Sequence, residues 1–220
     1  MPLPETRGTS YLARLRRLPA RQLAMLGALA LAVVAANIRQ PFPEIAPLQH
    51  IPTVILLLAA PVLLDRFPLT DRSVLALTAF FLLHTLAGRY TYSNVPYDDW
   101  ARALTGHDIS RTFGVARNEF DRLVHFSFGL LWVGPFAELV RRHAGMNPKA
   151  AIWMAFLFVG AISALYEIFE WLLTMAVSPD LAADYNGQQG DPWDSQKDMA
   201  FAIAGAAMAG VLLWRRRERR

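Results

Sequence analysis

The chain has 220 residues, 54% of them hydrophobic and 18% charged, with a mean hydropathy of +0.26, which is too apolar for a water-soluble domain of this length. Its net charge is +4, but the basic residues stand in short clusters beside apolar runs; that pattern argues for membrane topology and against nucleic acid as a partner. With no cysteine, disulfides, thiolate metal sites and cysteine nucleophiles are excluded, so any metal must be held by His, Asp or Glu.

A bilayer core takes roughly 20 apolar residues per helix, and six such stretches follow one another along the chain. They run Gln22–Ile38, Ile51–Leu64, Ser73–Ala87, Phe120–Val140, Lys149–Val177 and Asp198–Trp214. The second carries Pro61, which is expected to end or kink it. The fold class expected is all-α: a polytopic transmembrane bundle of about six spans over residues 22–214, between a basic segment 1–21 and a basic tail 215–220. The first run resembles a signal sequence, with arginines before it and Ala35 and Ala36 at its end, and is read as an uncleaved anchor.

Positively charged loops are retained in the cytoplasm. Of the 22 Lys and Arg residues, 15 fall on one side of this scheme, and only Arg39, Arg89, Arg102, Arg111, Arg117, Arg122 and Lys197 fall on the other, among acids such as Asp98, Asp99, Asp108, Asp180, Asp184, Asp191 and Asp194. The expectation is a multi-pass membrane protein with both termini cytoplasmic. Residues 41–52 and 88–119 then become extracytoplasmic loops, the second long enough to be functional. In the last span, Gly205 with Ala209 and Ala206 with Gly210 give the small-xxx-small spacing of a tight packing face.

Charged side chains inside a span cost about 2.5 to 3.5 kcal/mol each and normally face a bundle interior or a wet cavity. The fifth run carries Glu167 and Glu170, and the fourth carries Asp121 and His125, each pair on one helix face. His84 lies near the outer end of the third, with Arg89, Tyr90 and Tyr92 beyond it. The approach to the sixth contains Asn186, Gln189, Asp191, Asp194, Gln196 and Asp198. At 1.5 Å per residue, Glu167 lies roughly 27 Å from the start of its helix and His125 about 8 Å from the start of an antiparallel one. Four helices thus deliver polar groups to one depth. Structural readings stand beside this one: Asp121 as part of a cap with Asn118, Asp194 as an N-cap, Asp198 as a first-turn acid, His125 as a satisfied core histidine. Glu138, beside Arg141 and Arg142, reads as a surface ion pair, and Trp171 and Trp214 as interfacial belt residues.

The ordered set His84, Arg89-Tyr90-Thr91-Tyr92, Val95-Pro96, Asp121-Arg122-x-x-His125-Phe126, Tyr166-Glu167-x-x-Glu170-Trp171 and Gln189-Gly190-Asp191-x-Trp193-Asp194-x-Gln196-x-Asp198-Met199 resembles the YjdF-type bacterial inner-membrane proteins over about residues 80–210. That resemblance implies location and not activity. Asp121 to Phe126 is also similar, more loosely, to the Asp-Lys-x-x-His-Phe helix start of VanZ-like membrane proteins, which points to envelope lipids or polymers.

Three functions compete. In the first, an enzyme, a divalent metal (Zn, Mn, Fe or Mg) is held by a subset of His84, His125, Asp121, Glu167, Glu170, Asp191, Asp194 and Asp198. Glu167, Glu170, His125 and Asp121 supply the acid–base chemistry, and Arg89, Tyr90, Tyr92, Gln189 and Gln196 contact a lipid or lipid-linked substrate. The second is a small proton-coupled carrier using the same groups. The third is a structural polar core. The bilayer is the expected partner, with a homo-oligomer open. A site confined to the outer layer favours the enzyme, and a polar track through the membrane favours transport.

Overall fold

The structure, a computed structural model, describes residues 10–176 and 187–218. Arg7, Val177, Asp180, Asp184, Asn186 and the last two arginines lie outside the described residues. Among those described, every regular element is a helix: α1 (Tyr11–Arg17), α2 (Ala20–Ala36), α3 (Ala46–Gln49), α4 (Ile51–Arg66), α5 (Asp71–Arg89), α6 (Tyr97–Thr105), α7 (Ile109–Phe113), α8 (Phe120–His143), α9 (Pro148–Ala176) and α10 (Asp194–Glu218).

Among the described residues, four helical segments are long and apolar enough to cross a membrane: 46–66, comprising α3 and α4, and the helices α8, α9 and α10. The segment from α1 through α2 makes a fifth if its 118° bend lies within one span. Helix α5 falls short of the six-span expectation, because Asp71, Arg72, Thr78, His84 and Thr85 dilute its apolar residues. Pro61 does not end α4, which continues to Arg66. The proline forfeits only the N–H it lacks, and its ring is buried.

The bundle is organised about α8. On one side α8, α9 and α10 close on Val133, Ala137, Ala151, Ala155, Val159, Ala202, Ala206 and Ala209. On the other, α2, α5 and α8 bury Leu29, Phe80, Phe81 and Val124 with Val95 and Phe120. The small residues of α10 do what their spacing predicts. A Cβ on Gly205 would run into the Phe126 carbonyl and the Leu130 amide of α8, and one on Gly129 would strike the Ala202 carbonyl and Ala206 amide of α10. The two backbones therefore touch at a reciprocal glycine pair, an approach that any larger residue forbids.

Polar contacts collect at the two ends of the bundle. At one end Arg14 bonds Asp65 at 2.8 Å, Gln22 donates to the Leu69 carbonyl at 3.0 Å, and Lys149 lies 4.9 Å from the Trp214 ring. Glu138 pairs there with Arg142 at 3.1 Å, as its sequence neighbours suggest. The same carboxylate also accepts from the Thr70 amide at 2.8 Å and the Ser73 hydroxyl at 2.5 Å, so it caps α5 from a neighbouring helix. The opposite end gathers the start of α8, the start of α10 and the last third of α9.

Candidate functional site

At that second end, the start of α8 points one turn of side chains at the start of α10. Arg117, just before α8, bonds Asp121 on the next turn and Asp194 at the head of α10. Arg122 reaches Glu119 at 2.5 Å and Asp191 at 2.6 Å, and Lys197 also meets Asp191 at 2.6 Å. Asp191 accepts from Lys197 and from the Trp193 amide, and these bonds hold its carboxyl down at about 2. A second clasp ties the segments together: the Gln189 side chain accepts from the Asn118 amide at 3.0 Å and donates to its carbonyl at 2.9 Å.

Deeper by one turn, three helices contribute one group each. His125 of α8 presents Nε2 to Glu167 of α9 at 3.8 Å and to Asp198 of α10 at 4.0 Å. These ligand atoms lie within 4.8 Å of one another, Glu167 and Asp198 are buried, and His125 is nearly so. The separations are too long for hydrogen bonds. They approach the spacing of donors around one ion: ligands about 2.1 Å from a tetrahedral metal stand roughly 3.4 Å apart. Ser195 is the hydroxyl beside Glu167, yet neither Glu167 oxygen nor Oδ1 of Asp198 has a hydrogen-bond partner of good geometry. Buried polar atoms without partners are rare and costly. Glu170 lies on the same face, within electrostatic reach of Glu167 and Asp198, with the Tyr166 hydroxyl beside it.

Among the described residues, acidic side chains outnumber basic ones at this end of the bundle. Glu119, Asp121, Glu167, Glu170, Asp191, Asp194 and Asp198 face Arg117, Arg122 and Lys197. The guanidinium and ammonium groups make their short contacts in the upper layer, and the nearest of them to the lower trio is Arg122, whose Nε lies 4.0 Å from Asp198 Oδ1. Asp121, Asp194 and Asp198 form a second close trio, but there Arg117 already occupies the position of a cation.

Other residues expected at the site lie elsewhere. Both ring nitrogens of His84 are engaged, Nε2 with the Gln49 carbonyl at 3.1 Å and Nδ1 with the Tyr92 hydroxyl, which leaves none for a metal. Thr91 and Tyr92 both take positive φ (49° and 59°), turning the chain back so that Tyr92 reaches His84. Arg89 donates to the Ala36 carbonyl at 2.6 Å and the Ile38 carbonyl at 3.0 Å, closing the C-terminus of α2. Tyr90 packs edge-on against Trp100, and Gln196 faces outward on α10. Arg117 escaped the sequence reading because it precedes its helix and looks like a loop charge; its i,i+4 spacing to Asp121 was the available signal. His50 was missed as well: it is buried, between the Asn37 amide at 3.0 Å and the Thr85 carbonyl at 3.0 Å.

The family model described as "Predicted membrane protein (DUF2238)" matches residues 21–219. The "Inner membrane protein YjdF" of Escherichia coli (strain K12) is 34% identical over 153 residues, covering 68% of each chain. No solved structure matches. These matches confirm the YjdF-type resemblance and leave the looser VanZ likeness untouched. An all-helical chain with several membrane-length apolar helices, matched by that model over nearly its whole length, belongs to the DUF2238 family of membrane proteins.

Proposed function

We propose that the protein is a metal-dependent membrane enzyme, a hydrolase or transferase of lipid-linked envelope substrates, with a divalent cation held by His125, Glu167 and Asp198. One observation carries the reading: three ligating groups from three helices converge, two of them buried and the third nearly so, and three of their carboxylate oxygens have no hydrogen-bond partner of good geometry among the described residues. A mixed imidazole and carboxylate set suits Zn, Mn or Fe. Such an ion would polarise a phosphoryl or acyl oxygen and acidify a water. Glu170, on the same helix face as Glu167, would accept a proton, while Arg117 and Arg122 hold Asp121, Asp191 and Asp194 as a frame above the three ligands.

Just below the site lie the buried hydroxyls of Ser127 and Ser163, and among the described residues no buried charged side chain follows them. Among the described residues, the seam continuing between α8, α9 and α10 is lined by Val133, Ala137, Ala155, Val159 and Ala206, all closely packed. That favours a site open to one face over a proton-coupled carrier, which needs a track through the bundle. The reading includes an inner-membrane location with six spans and both termini cytoplasmic. Supporting it, the Arg14, Arg17, Arg142 and Lys149 cluster shares one end of the bundle, and α5, packed between α2 and α8, supplies the return crossing after the short turn that follows α4.

The test is metal analysis of detergent-purified protein, wild type beside His125→Ala, Glu167→Gln and Asp198→Asn. The expected result is near-stoichiometric metal in the wild type and its loss in each variant. Equal metal in all four, with unchanged folding, would remove the proposal. Release of product from phosphorylated lipids, dependent on that metal, then tests the reaction class.

A further inference from the structure

The connection from α5 to α8 is a built hairpin. Asp98 accepts from the Ser110 amide at 2.8 Å, and the Tyr97 hydroxyl meets that of Ser110 at 3.0 Å, locking α6 to α7. Tyr97 also fastens the hairpin to the bundle. Its hydroxyl accepts from the Glu119 amide at 3.1 Å, and its ring stacks on Phe120, the first residue of the span α8, with centroids 6.4 Å apart. The root of the hairpin is therefore level with the point where α8 enters the membrane.

Helix α6 is amphipathic. Tyr97, Trp100, Ala101 and Leu104 recur at helical spacing on one face, and Asp98, Asp99 and Arg102 occupy the other. Little of the hairpin's apolar surface is covered by protein: Leu104 is 86% exposed and Phe113 is 76% exposed, with Ile109 and Trp100 also open. A connector standing in water gains nothing from large apolar side chains at such exposure. Beside a bilayer, the same surface is one that inserts. Arg111 stands exposed in α7 and has no ion pair among the described residues, whereas Arg102 is engaged by Asp99 and Asp108.

We propose that the α6–α7 hairpin lies in the membrane interface, with Leu104, Ile109 and Phe113 at the acyl-chain boundary and Arg111 among the lipid phosphates. The occupant is the bilayer because the Tyr97–Phe120 stack holds the hairpin at the level where lipid begins, so its uncovered apolar surface continues the lipid-facing surface of α8. The inference is independent of any metal at His125.

The absence of cysteine makes the test clean. Leu104→Cys, Phe113→Cys and, as a control on the polar face, Asp99→Cys are spin-labelled in full-length protein reconstituted into phosphatidylethanolamine–phosphatidylglycerol vesicles. Collision with oxygen is compared with collision with a water-soluble nickel chelate. Labels at 104 and 113 are expected to meet oxygen severalfold more than nickel, and the label at 99 to show the reverse. Nickel-accessible labels at 104 and 113 would place the hairpin in water and overturn the proposal. Labels sheltered from both reagents and broadened by a neighbouring spin would put a second copy there, overturning it equally.

Discussion

The His125 imidazole stands 3.8 Å from the Glu167 carboxylate, near enough to share an ion with it and too far to share a hydrogen bond. Two consecutive helices of opposite direction therefore bring side chains about forty residues apart in sequence to one depth. With Asp198 completing the set at 4.0 Å from the same nitrogen, the arrangement is a pre-formed three-donor corner in a medium that stabilises no lone charge.

Ligand binding to the folded state alone raises stability, by about 2.7 kcal/mol at a hundredfold excess over Kd. Adding Zn or Mn to chelator-treated protein is expected to raise Tm in the wild type and to leave that of His125→Ala unchanged. An equal rise in both would locate binding elsewhere.

Gly205 faces the α8 backbone so closely that no side chain fits. Gly205→Val is expected to destabilise the α8–α10 pair by about 1–3 kcal/mol, the range for overpacking, whereas Gly134→Ala, where a Cβ meets nothing, is expected to be nearly neutral. Thermal unfolding followed by circular dichroism compares the two. Similar losses in both would mean that close approach does not govern position 205, since leaving glycine raises helix propensity in either variant.

Arg89 is read as the lid on the C-terminus of α2 and not as a substrate contact, since its guanidinium is spent on backbone carbonyls of 36 and 38. Arg89→Ala is expected to lower stability by about 1.5–3 kcal/mol, the range for charged hydrogen bonds, while leaving metal content intact. Loss of metal without loss of stability would return Arg89 to the site.

Asp191 gives a pH signature. Its carboxyl is held at about 2, chiefly by the hydrogen bond from Lys197. A folded-state value below the unfolded one contributes stability that is fully present above the ordinary aspartate value near 3.8 and is lost as pH falls toward about 2. Asp191→Asn is therefore expected to be less stable than wild type at neutral pH, with the gap closing on acidification through that window. Lys197→Met should shrink the gap in the same direction. A difference independent of pH would assign the effect of Asp191→Asn to something other than its charge.

Much of this was legible in the residues. Apolar runs of membrane length, the clustering of arginine and the i,i+3 and i,i+4 spacing of Glu167 with Glu170 and of Asp121 with His125 are one-dimensional properties, because helix periodicity and bilayer thickness are constants. So is the glycine spacing of α10. Which partner each polar residue takes was not legible. Asp121, His125, Glu167, Asp191, Asp194 and Asp198 look alike in sequence, as polar residues at a shared depth. Only the tertiary packing decides that Arg117 and Arg122 satisfy Asp121, Asp191 and Asp194, that the Gln49 carbonyl and Tyr92 take up His84, and that His125, Glu167 and Asp198 are left facing one another. The physical reason is that a helix fixes which face and what depth a residue occupies, while its partner is chosen by the rotation and proximity of neighbouring helices, and these are set by packing remote in sequence, here by the close approach of Gly129 to the α10 backbone at Ala202 and Ala206 and of Gly205 to the α8 backbone at Phe126 and Leu130.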